Sequence, residues 1–303
     1  MSQEQLFGGV EAGGTKFVCA TGNGSGTLRA SIEFPTQDPE STVSSVVEFF
    51  QSQSDAREDL SAIGVGSFGP LELNVDSPSY GRILVTPKKG WQNFDLRGEI
   101  ARGLNLPVAI DTDVNAAAIG EWQWGALRGL QHGLYVTVGT GVGVGAIVDG
   151  QLLHGKHHPE MGHMLIPRSP DEQAGFAGVC PYHRSCVEGL ASGRAIVSRW
   201  GSKLVDLPVT HPAWDLQASY LAMFLTNLTF ALQPERVVVG GGVMNDTLLS
   251  KTQNLLQGAL GGYRSTLTER EMINDYLLRP ALEGRAGVLG AIALARAGNR
   301  LKR

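Results

Sequence analysis

The sequence predicts an α/β protein that is built from two related domains. Apolar strands alternate with helical patterns, as where strand 107–110 runs directly into an alanine-rich helix. Two strand–glycine turn–strand units, at 6–22 and 134–148, repeat one plan and indicate a duplicated domain. The length of 303 residues is enough for two domains or for one large domain.

Composition and charge restrict the kinds of molecule that this protein is expected to bind. The 40 glycines occur in clusters, which is typical of backbone that approaches a ligand closely. The formal net charge of -4 argues against nucleic acid or an anionic membrane as a partner, and no apolar run is long enough to span a bilayer. Three cysteines are too few for a disulfide framework, and residues 2–5 are polar where a signal peptide needs a basic and then an apolar region. We therefore expect a cytoplasmic location, where thiols stay reduced.

The first glycine turn follows a strand that begins at Leu6. Gly13-Gly14 can expose consecutive backbone amides, which suits a phosphate, and Thr15 and Lys16 would add a hydroxyl and a positive charge. A plain hairpin turn is the alternative. The spacing of a Walker loop is missing, and a strand rather than a helix follows the turn.

Hydrophobic spacing predicts the elements up to residue 106. A helix is expected over 41–53, after Pro39, and an amphipathic helix is expected around Leu96, Ile100 and Leu104. Residues 62–66 are predicted to form a buried strand. Trp91 ends an ordered loop that starts at residue 86; it is expected either to pack in the core or to form the wall of a ligand site.

The stretch from 107 to 121 is the strongest candidate for chemistry. Its strand carries Asp111 and Asp113 to a position beside a helix N-terminus, where open α/β sheets place their active sites. The helix dipole favours a carboxylate there, so Asp113 could stay ionised and accept a proton from a substrate hydroxyl. The alternative is that Asp111 or Asp113 only caps the helix.

A second glycine turn, Gly139–Gly143, separates the predicted strands 134–138 and 144–148. Thr140 stands beside glycine here, as Thr15 does in the first turn. Two such turns that face each other could hold both ends of a polyphosphate.

The remaining pattern is helical apart from two short strands. Gly240–Gly242 follows the strand 236–239 and precedes a helix, so a flat or anionic ligand can lie against its backbone. Three further helices and one late strand are predicted, at 188–200, 213–232, 287–296 and 277–279.

The segment between His154 and Cys186 carries the candidate metal ligands. Glu160 and His163 are three residues apart, so a helical turn would point both side chains the same way. The run Cys180-x-x-His183-x-x-Cys186 supplies three ligands, and His163 can complete a closed tetrahedral zinc site, which would be structural. The alternative is two free cysteines and a solvated histidine. The rival ligands are three histidines that are otherwise expected in a surface loop: His154, His157 and His158.

Taken together, these motifs make the sequence resemble the ROK sugar kinases over nearly the whole chain. The resemblance rests on six stretches: Glu11 to Lys16, Asp113-Val114-Asn115, Gly139 to Gly143, Glu160-x-Gly162-His163, the cysteine loop with Glu188, and Gly240-Gly241-Gly242. Within the family the chain is most similar to bacterial fructokinases. Their markers stand here as Thr86-Pro87-Lys88 before Gly90-Trp91, and as Cys180-Pro181-Tyr182-His183 before Cys186-Val187-Glu188-Gly189.

The resemblance implies the actin-like, ribonuclease-H-like ATPase fold, with an active-site cleft between two lobes. The expected N-terminal α/β domain covers residues 1–112, and the expected C-terminal α/β domain covers 113–285 and contains the zinc-binding loop. A C-terminal helix at about 286–303 is expected to pack back on the first domain. The family's homodimeric state is expected too.

The resemblance also implies transfer of the γ-phosphoryl group of ATP to a hexose, with D-fructose as the expected substrate and Asp113 as the catalytic base. Mg²⁺ would reach Glu11 through water. The residues expected to hold the phosphates are Gly13, Gly14, Thr15, Lys16, Thr140 and Gly141, while Gly241 and Gly242 would lie near adenosine. The residues expected to bind the sugar are Gly69, Thr112, Asp113, Glu160, His163 and Glu188.

Three departures from the family pattern matter. Glu11 stands where most members have aspartate, and His183 stands where a cysteine is frequent. Thr112 replaces the asparagine of many glucose-using relatives, which favours a sugar other than glucose. Kinases for mannose, glucose or an N-acylated aminosugar are the alternatives. A non-catalytic sugar-sensing regulator is disfavoured, because Asp113 is intact and the first strand begins at Leu6, which leaves no room for a DNA-binding helix-turn-helix.

Overall fold

The computed structural model of this chain describes residues 5–53 and 60–300. The last three residues of the predicted C-terminal helix, 301–303, lie outside this range. The strands are β1 Leu6–Ala12, β2 Lys16–Asn23, β3 Leu28–Pro35, β4 Leu60–Ser67, β5 Val108–Thr112, β6 Gly133–Val138, β7 Val142–Val148, β8 Gln151–Leu152, β9 Arg236–Gly240 and β10 Leu277–Leu278. The helices are α1 Pro39–Ser52, α2 Leu96–Leu104, α3 Asp113–Trp124, α4 Val187–Ala191, α5 Gly193–Trp200, α6 Ala213–Leu232, α7 Asp246–Leu260, α8 Arg270–Tyr276 and α9 Ala286–Arg300.

The chain divides into two compact units. The first comprises the chain up to Gly129, the segment Leu152–Pro159 and the chain from Gly284 onwards. The second comprises Leu130–Gln151 and Glu160–Glu283. The predicted domain boundary between residues 112 and 113 stays a prediction from the sequence; the first compact unit includes all of α3.

The first unit contains a five-stranded sheet in the order β3-β2-β1-β4-β5. The hairpin β1–β2 is antiparallel, whereas β4 runs parallel to both β1 and β5. Helices α1 and α2 bury apolar side chains such as Phe50 and Ile100 in the core of this unit. The parallel strands β1, β4 and β5 all end at one edge of the sheet, and that edge carries Glu11 and Asp113.

Trp91 belongs to this core. Its side chain is fully buried, and its ring contacts the rings of Phe17, Phe68 and Phe94 at centroid distances of 5.3 to 5.7 Å. Its Nε1 donates a hydrogen bond to the backbone oxygen of Gln37 at 3.0 Å. The core interpretation of this residue is therefore confirmed, and the alternative of a ligand-site wall is wrong.

Helix α9 packs on the first unit by a very close approach to α3. A Cβ atom added at Gly290 would lie 1.6 Å from the backbone oxygen of Ala116, so only glycine permits this distance. The reciprocal contact is made by Gly120, where a Cβ would lie 2.4 Å from the oxygen of Ala286. Small residues on both helices thus bring α9 against the helix that carries Asp113.

The second unit repeats the plan of the first. Its sheet has the order β10-β9-β6-β7-β8, with an antiparallel hairpin β6–β7 and with β9 parallel to β6. Both sheets therefore place a glycine-turn hairpin beside a parallel strand, which is the duplicated plan that the sequence predicted. Within residues 5–53 and 60–300, no helix is both long enough and apolar enough to cross a lipid bilayer.

Two predicted boundaries in this unit are wrong for local reasons. The second strand begins at Val142 rather than at 144, because the turn closes within three residues: the N–H of Gly139 donates to the oxygen of Gly141 at 2.9 Å. The single helix expected over 188–200 is broken at Ser192, which has extended backbone angles. Its side chain caps α5 by accepting from the N–H of Ala195 at 3.3 Å.

Candidate active site

Asp113 is the first residue of α3, directly after β5. The cap of this helix is Thr112, whose side-chain oxygen accepts from the N–H of Asn115 at 3.2 Å, so the expectation that Asp111 or Asp113 is the cap is wrong. Burial raises the pKa of Asp113 to about 6, and backbone N–H donors, among them that of Val114 at 2.8 Å, offset only part of this rise. The expected stabilisation of the carboxylate by the helix is thus outweighed by desolvation. The result is a carboxylate that is still mostly ionised at pH 7 but more basic than usual.

Glu11 lies one residue before the end of β1. Its Oε2 atom is buried and has no hydrogen-bond partner within the described part of the chain. The pKa of Glu11 is raised to about 7, mainly by burial and secondly by the negative charge of Asp113. An orphaned, buried carboxylate oxygen calls for a missing partner, and a hydrated divalent cation fits that requirement.

Asp111 organises the backbone from which Asp113 projects. Its Oδ1 accepts hydrogen bonds from the N–H of Thr112 and from Nδ2 of Asn115, both at 2.8 Å. Its Oδ2 lies 2.9 Å from Nε2 of His154, and this hydrogen bond is the main cause that raises the pKa of His154. Sequence reasoning missed this role of His154, which lies 43 positions from Asp111, and treated it as a rival metal ligand.

The first glycine turn is tight and open on its outer side. The N–H of Gly13 donates to the oxygen of Lys16 at 2.9 Å, and Thr36 Oγ1 donates to the oxygen of Gly13 at 2.7 Å. A Cβ atom added at Gly14 would meet nothing within 4 Å. Thr15 is exposed, and Lys16 Nζ forms an ion pair with Glu33 at 2.6 Å. The turn therefore has space for a phosphate, while the charge of Lys16 is partly neutralised.

Gly69 lies against the ring of His158. A Cβ atom added at Gly69 would lie 3.4 Å from Cε1 of His158, and Nε2 of His158 accepts from the N–H of Leu71 at 3.0 Å. His158 is buried, and its pKa is lowered mainly by desolvation. The expectation of a surface-loop histidine is therefore wrong for His158, which instead holds the backbone beside Gly69.

A pocket of about 520 Å³ lies in the first unit beside Asp111 and His154. Tyr80, Ile110 and His158 also line it. Asp113 and the first glycine turn do not line this pocket.

In the second unit, Glu188 and Arg194 hold the second glycine turn. Glu188 Oε2 accepts from the N–H of Val142 at 3.3 Å, and a Cβ atom added at Gly141 would lie 2.5 Å from the same oxygen. Arg194 donates to the oxygen of Thr140 at 3.2 Å and to Glu188 Oε1 at 3.1 Å. Thr140 itself is exposed, so it is accessible to a ligand.

The third glycine run adjoins this turn. Gly241 has a φ of 93°, and a Cβ there would lie 2.4 Å from the oxygen of Val138, which requires glycine. The N–H of Gly193 donates to the oxygen of Gly139 at 2.7 Å. A Cβ added at Gly242 would meet nothing within 4 Å. The two glycine loops thus lie at the same edge of the second sheet, with exposed backbone.

Four side chains of the second unit converge as the sequence predicted: His163, Cys180, His183 and Cys186. Their possible ligand atoms all lie within 4.8 Å of one another. His163 Nδ1 lies 3.5 Å from Cys186 Sγ and 3.7 Å from Cys180 Sγ, and His183 Nδ1 lies 3.8 Å from Cys180 Sγ. A tetrahedral ion with bonds of about 2.0 to 2.3 Å needs ligand separations of roughly 3.3 to 3.8 Å. The group is therefore arranged so that it could hold a metal ion.

The chemistry of the donors fits a metal as well. Burial raises the pKa of the Cys186 thiol to about 11, so a bound cation would have to stabilise the thiolate. Because Nδ1 of His163 faces the sulfurs, its Nε2 is on the opposite side of the ring. Glu160 is exposed and immediately precedes the 3₁₀ turn Met161–His163, whose His163 N–H donates to the oxygen of Glu160 at 2.9 Å. His154, His157 and His158 are not members of this group.

A buried ion pair supports the segment before Cys180. Arg199 donates to both oxygens of Glu172 at 2.8 and 3.0 Å, and both side chains are almost fully buried. Tyr220 donates to Glu172 at 2.8 Å, and the guanidinium of Arg199 lies over the ring of Phe176. No sequence spacing links these residues, so sequence reasoning missed the pair.

Comparison with known proteins identifies the family. The model of the ROK family matches residues 7–298. The chain belongs to the ROK family. It is 43% identical to a Bacillus subtilis (strain 168) protein with a provisional fructokinase name, over 96% of this chain and 95% of the relative. It is 41% identical to a fructokinase of Zymomonas mobilis, over 97% of each chain.

The crystal structure of a ROK hexokinase from Thermus thermophilus has the same fold. It superimposes with a TM-score of 0.78 at 26% identity, covering 98% of this chain and 99% of the hexokinase. The predicted α/β, actin-like fold class and the resemblance to ROK sugar kinases are thereby confirmed.

Proposed function

We propose that this protein transfers the γ-phosphoryl group of ATP to a hexose, and that D-fructose is its preferred substrate. One observation carries the proposal. In this chain of the ROK family, Asp113 stands at the start of α3, and its carboxylate is mostly ionised at pH 7 but more basic than usual. Identities of 41% and 43% to proteins named as fructokinases, over nearly the full length, support fructose as the sugar.

Asp113 orients the sugar hydroxyl and accepts its proton. The transition state of phosphoryl transfer is loose, so the main contribution of the carboxylate is to position the attacking oxygen. The hydrogen bonds that Asp111 accepts from Thr112 and Asn115 support this role, because they fix the first turn of α3.

The glycine turns hold the nucleotide in this proposal. Their open backbone suits phosphates: the residues assigned to this task are Gly13, Gly14, Thr15, Lys16, Thr140 and Gly141. Gly241 and Gly242 are assigned to adenosine. Mg²⁺ would neutralise phosphate charge, and Glu11, with its orphaned Oε2, is the residue assigned to it, directly or through water.

The sugar contacts are assigned from the resemblance to the family. The residues proposed to contact its hydroxyls are Gly69, Thr112, Asp113, Glu160, His163 and Glu188. Zinc is the proposed ion for His163, Cys180, His183 and Cys186, because two thiolates and two imidazoles suit a closed structural site. In this assignment Nδ1 of His163 binds zinc, and Nε2 is available to the sugar.

A panel of hexoses tests the proposal. With ATP and Mg²⁺, we expect kcat/KM to be highest for fructose among fructose, mannose, glucose and N-acylated aminosugars. Higher kcat/KM for another hexose would reassign the substrate and leave a kinase. Absence of ADP release with every sugar would favour the sugar-sensing regulator.

The variant Asp113→Ala tests the assigned base. We expect turnover to fall by at least about 10³-fold, because both proton acceptance and alignment are lost, while ATP binding by calorimetry stays within a few-fold. Near-normal turnover would remove Asp113 from this role. The homodimeric state expected from the family stays a prediction, which analytical ultracentrifugation can test.

A further inference from the structure

The loop that contains Lys88 is rigidly attached to the first unit. Trp91 is fully buried at its end, and the N–H of Trp91 donates to the oxygen of Lys88 at 3.2 Å. The N–H of Lys88 donates to Thr86 Oγ1 at 3.4 Å, and Gln92 Nε2 donates to the oxygen of Thr86 at 2.9 Å. The backbone of Lys88 is therefore held in one place, and the side chain starts from a defined position.

This position brings the ammonium group of Lys88 to the first glycine turn. Lys88 Nζ donates a hydrogen bond to the backbone oxygen of Gly14, 74 positions earlier in the chain. A Cβ atom added at Gly14 would meet nothing within 4 Å, so the backbone of the turn is open at this residue. A flexible four-carbon side chain thus places a positive charge beside the open backbone where a phosphate would bind.

The two lysines at this turn differ in their partners. Lys16 Nζ is paired with the Glu33 carboxylate at 2.6 Å, and its charge also acts on Glu11, where it lowers the pKa. Lys88 makes no ion pair with a carboxylate in the part of the chain that the structure describes; its acceptor is a neutral carbonyl. An ammonium group that is bonded only to a carbonyl can exchange this partner for an anion without first breaking an ion pair.

The negative charges at this edge of the sheet require a nearby positive charge, which the ammonium group of Lys88 can supply. Glu11 and Asp113 already bring two carboxylates into electrostatic contact, and a polyphosphate would add further negative charge. We propose that Lys88 binds the terminal phosphate of the nucleotide at the first glycine turn and stabilises the negative charge of the phosphoryl group during transfer. This assignment rests on the proposed kinase function. Lysine acts here as a point charge, keeps its protons, and forms no covalent bond.

Steady-state kinetics test the proposal with a neighbouring control. Lys88→Met should lower kcat/KM for ATP by about 10²-fold or more, with KM for fructose changed by less than about threefold, because the lost contact is to phosphate. Lys88→Arg keeps the charge and should restore the value to within about tenfold of the original protein. Lys89→Met removes the charge of the exposed next residue and should change kcat/KM by less than about twofold. Equal effects of Lys88→Met and Lys89→Met would overturn the assignment.

Binding measurements separate this proposal from the kinase proposal. Calorimetry compares ADP with a non-hydrolysable ATP analogue, both with Mg²⁺, and needs no turnover. We expect Lys88→Met to weaken binding of the analogue by about tenfold or more and binding of ADP by less than about twofold, with an unchanged melting temperature. If both nucleotides are weakened equally, or neither is, Lys88 does not bind the terminal phosphate. If the original protein turns over no hexose but shows the expected difference, the kinase proposal fails and the Lys88 contact stands.

Discussion

At the scale of single residues, the site is dominated by two carboxyl groups whose environment makes them more basic. Burial is the largest cause for both Asp113 and Glu11, and the charge of Asp113 adds to the effect on Glu11. Such pairs are common where proteins place acid–base or cation-binding chemistry. The structure keeps Asp113 accessible to a substrate, since it is only partly buried by surface area.

The pKa of Asp113 predicts how turnover depends on pH. The proposed base must be ionised, so kcat/KM for the sugar should be flat above pH 7 and should fall about tenfold per pH unit well below pH 6. A pH–rate profile with saturating Mg²⁺ measures this. A profile that stays flat down to pH 4.5 would contradict the raised pKa or the role of Asp113 as base.

The same pKa predicts a stability gain when the charge is removed. Above pH 6 the folded protein carries a partly desolvated carboxylate, whose charge is less favourable than in the unfolded chain. Asp113→Asn should therefore stabilise the protein by on the order of 1–2 kcal/mol at pH 8. Well below pH 3.8, the ordinary pKa of aspartate, the carboxyl is protonated in both states, and the difference should vanish. Urea unfolding at the two pH values measures the change; equal stabilities at pH 8 would count against it.

At the scale of elements, helix α3 is positioned by contacts at its first turn and along its body. Its first turn is fixed by Asp111, which links Thr112, Asn115 and His154. Its body lies so close to α9 that Gly290 leaves no space for a side chain against Ala116. Because Asp113 is the first residue of α3, these contacts also determine where its carboxylate lies.

Substitution at the α3–α9 contact should therefore be costly. Gly290→Ala must push the helices apart, and we expect a loss of at least about 2–3 kcal/mol, despite the better helix propensity of alanine. The matched control is Gly258→Ala in α7, where a Cβ meets nothing within 4 Å and a gain of about 0.5–1 kcal/mol is expected. Urea midpoints measure both, and a neutral Gly290→Ala would show that the helices can separate at little cost.

At the scale of the whole molecule, each unit has its own means of holding its functional loops. The first unit relies on a sheet, an aromatic core and the C-terminal helix α9. The second unit has the buried Glu172–Arg199 ion pair, which supports the segment before Cys180. Its converging metal-ligand group is proposed to hold the loop around Cys180 through zinc. Removal of either partner of that buried pair would leave an unpaired charge, which is strongly destabilising.

Removal of the proposed zinc ion should lower stability and activity together. Chelation, or Cys186→Ser, should lower the melting temperature by more than about 5 °C, the shift that roughly 2 kcal/mol produces in a domain of this size. Metal analysis should find about one zinc per chain in the original protein and much less in the variant. Cys19→Ala is the control, because Cys19 is buried in the first unit and lies outside the ligand group. Unchanged melting after chelation, with no zinc bound, would reject the site.

The elements that sequence periodicity predicted are those whose signals are local. Helix α6 has the predicted bounds, 213–232, because one long apolar pattern specifies it. The exposed strand β3 and helix α8 were not predicted, because the former has only weak alternation and the latter is short. Element ends such as Val142 and Ser192 depended on turn closure and capping, which the hydrophobic pattern does not show.

By itself, the sequence determined the α/β class, the duplicated hairpins with their glycine turns, and the composition of the metal-ligand group. These features follow from periods and spacings that are short along the chain. Only the tertiary structure decided that His154 bonds Asp111, that Lys88 reaches Gly14, and that Trp91 lies in the core. Such contacts join residues tens of positions apart, and their formation depends on how sheets and helices pack, which no local spacing records.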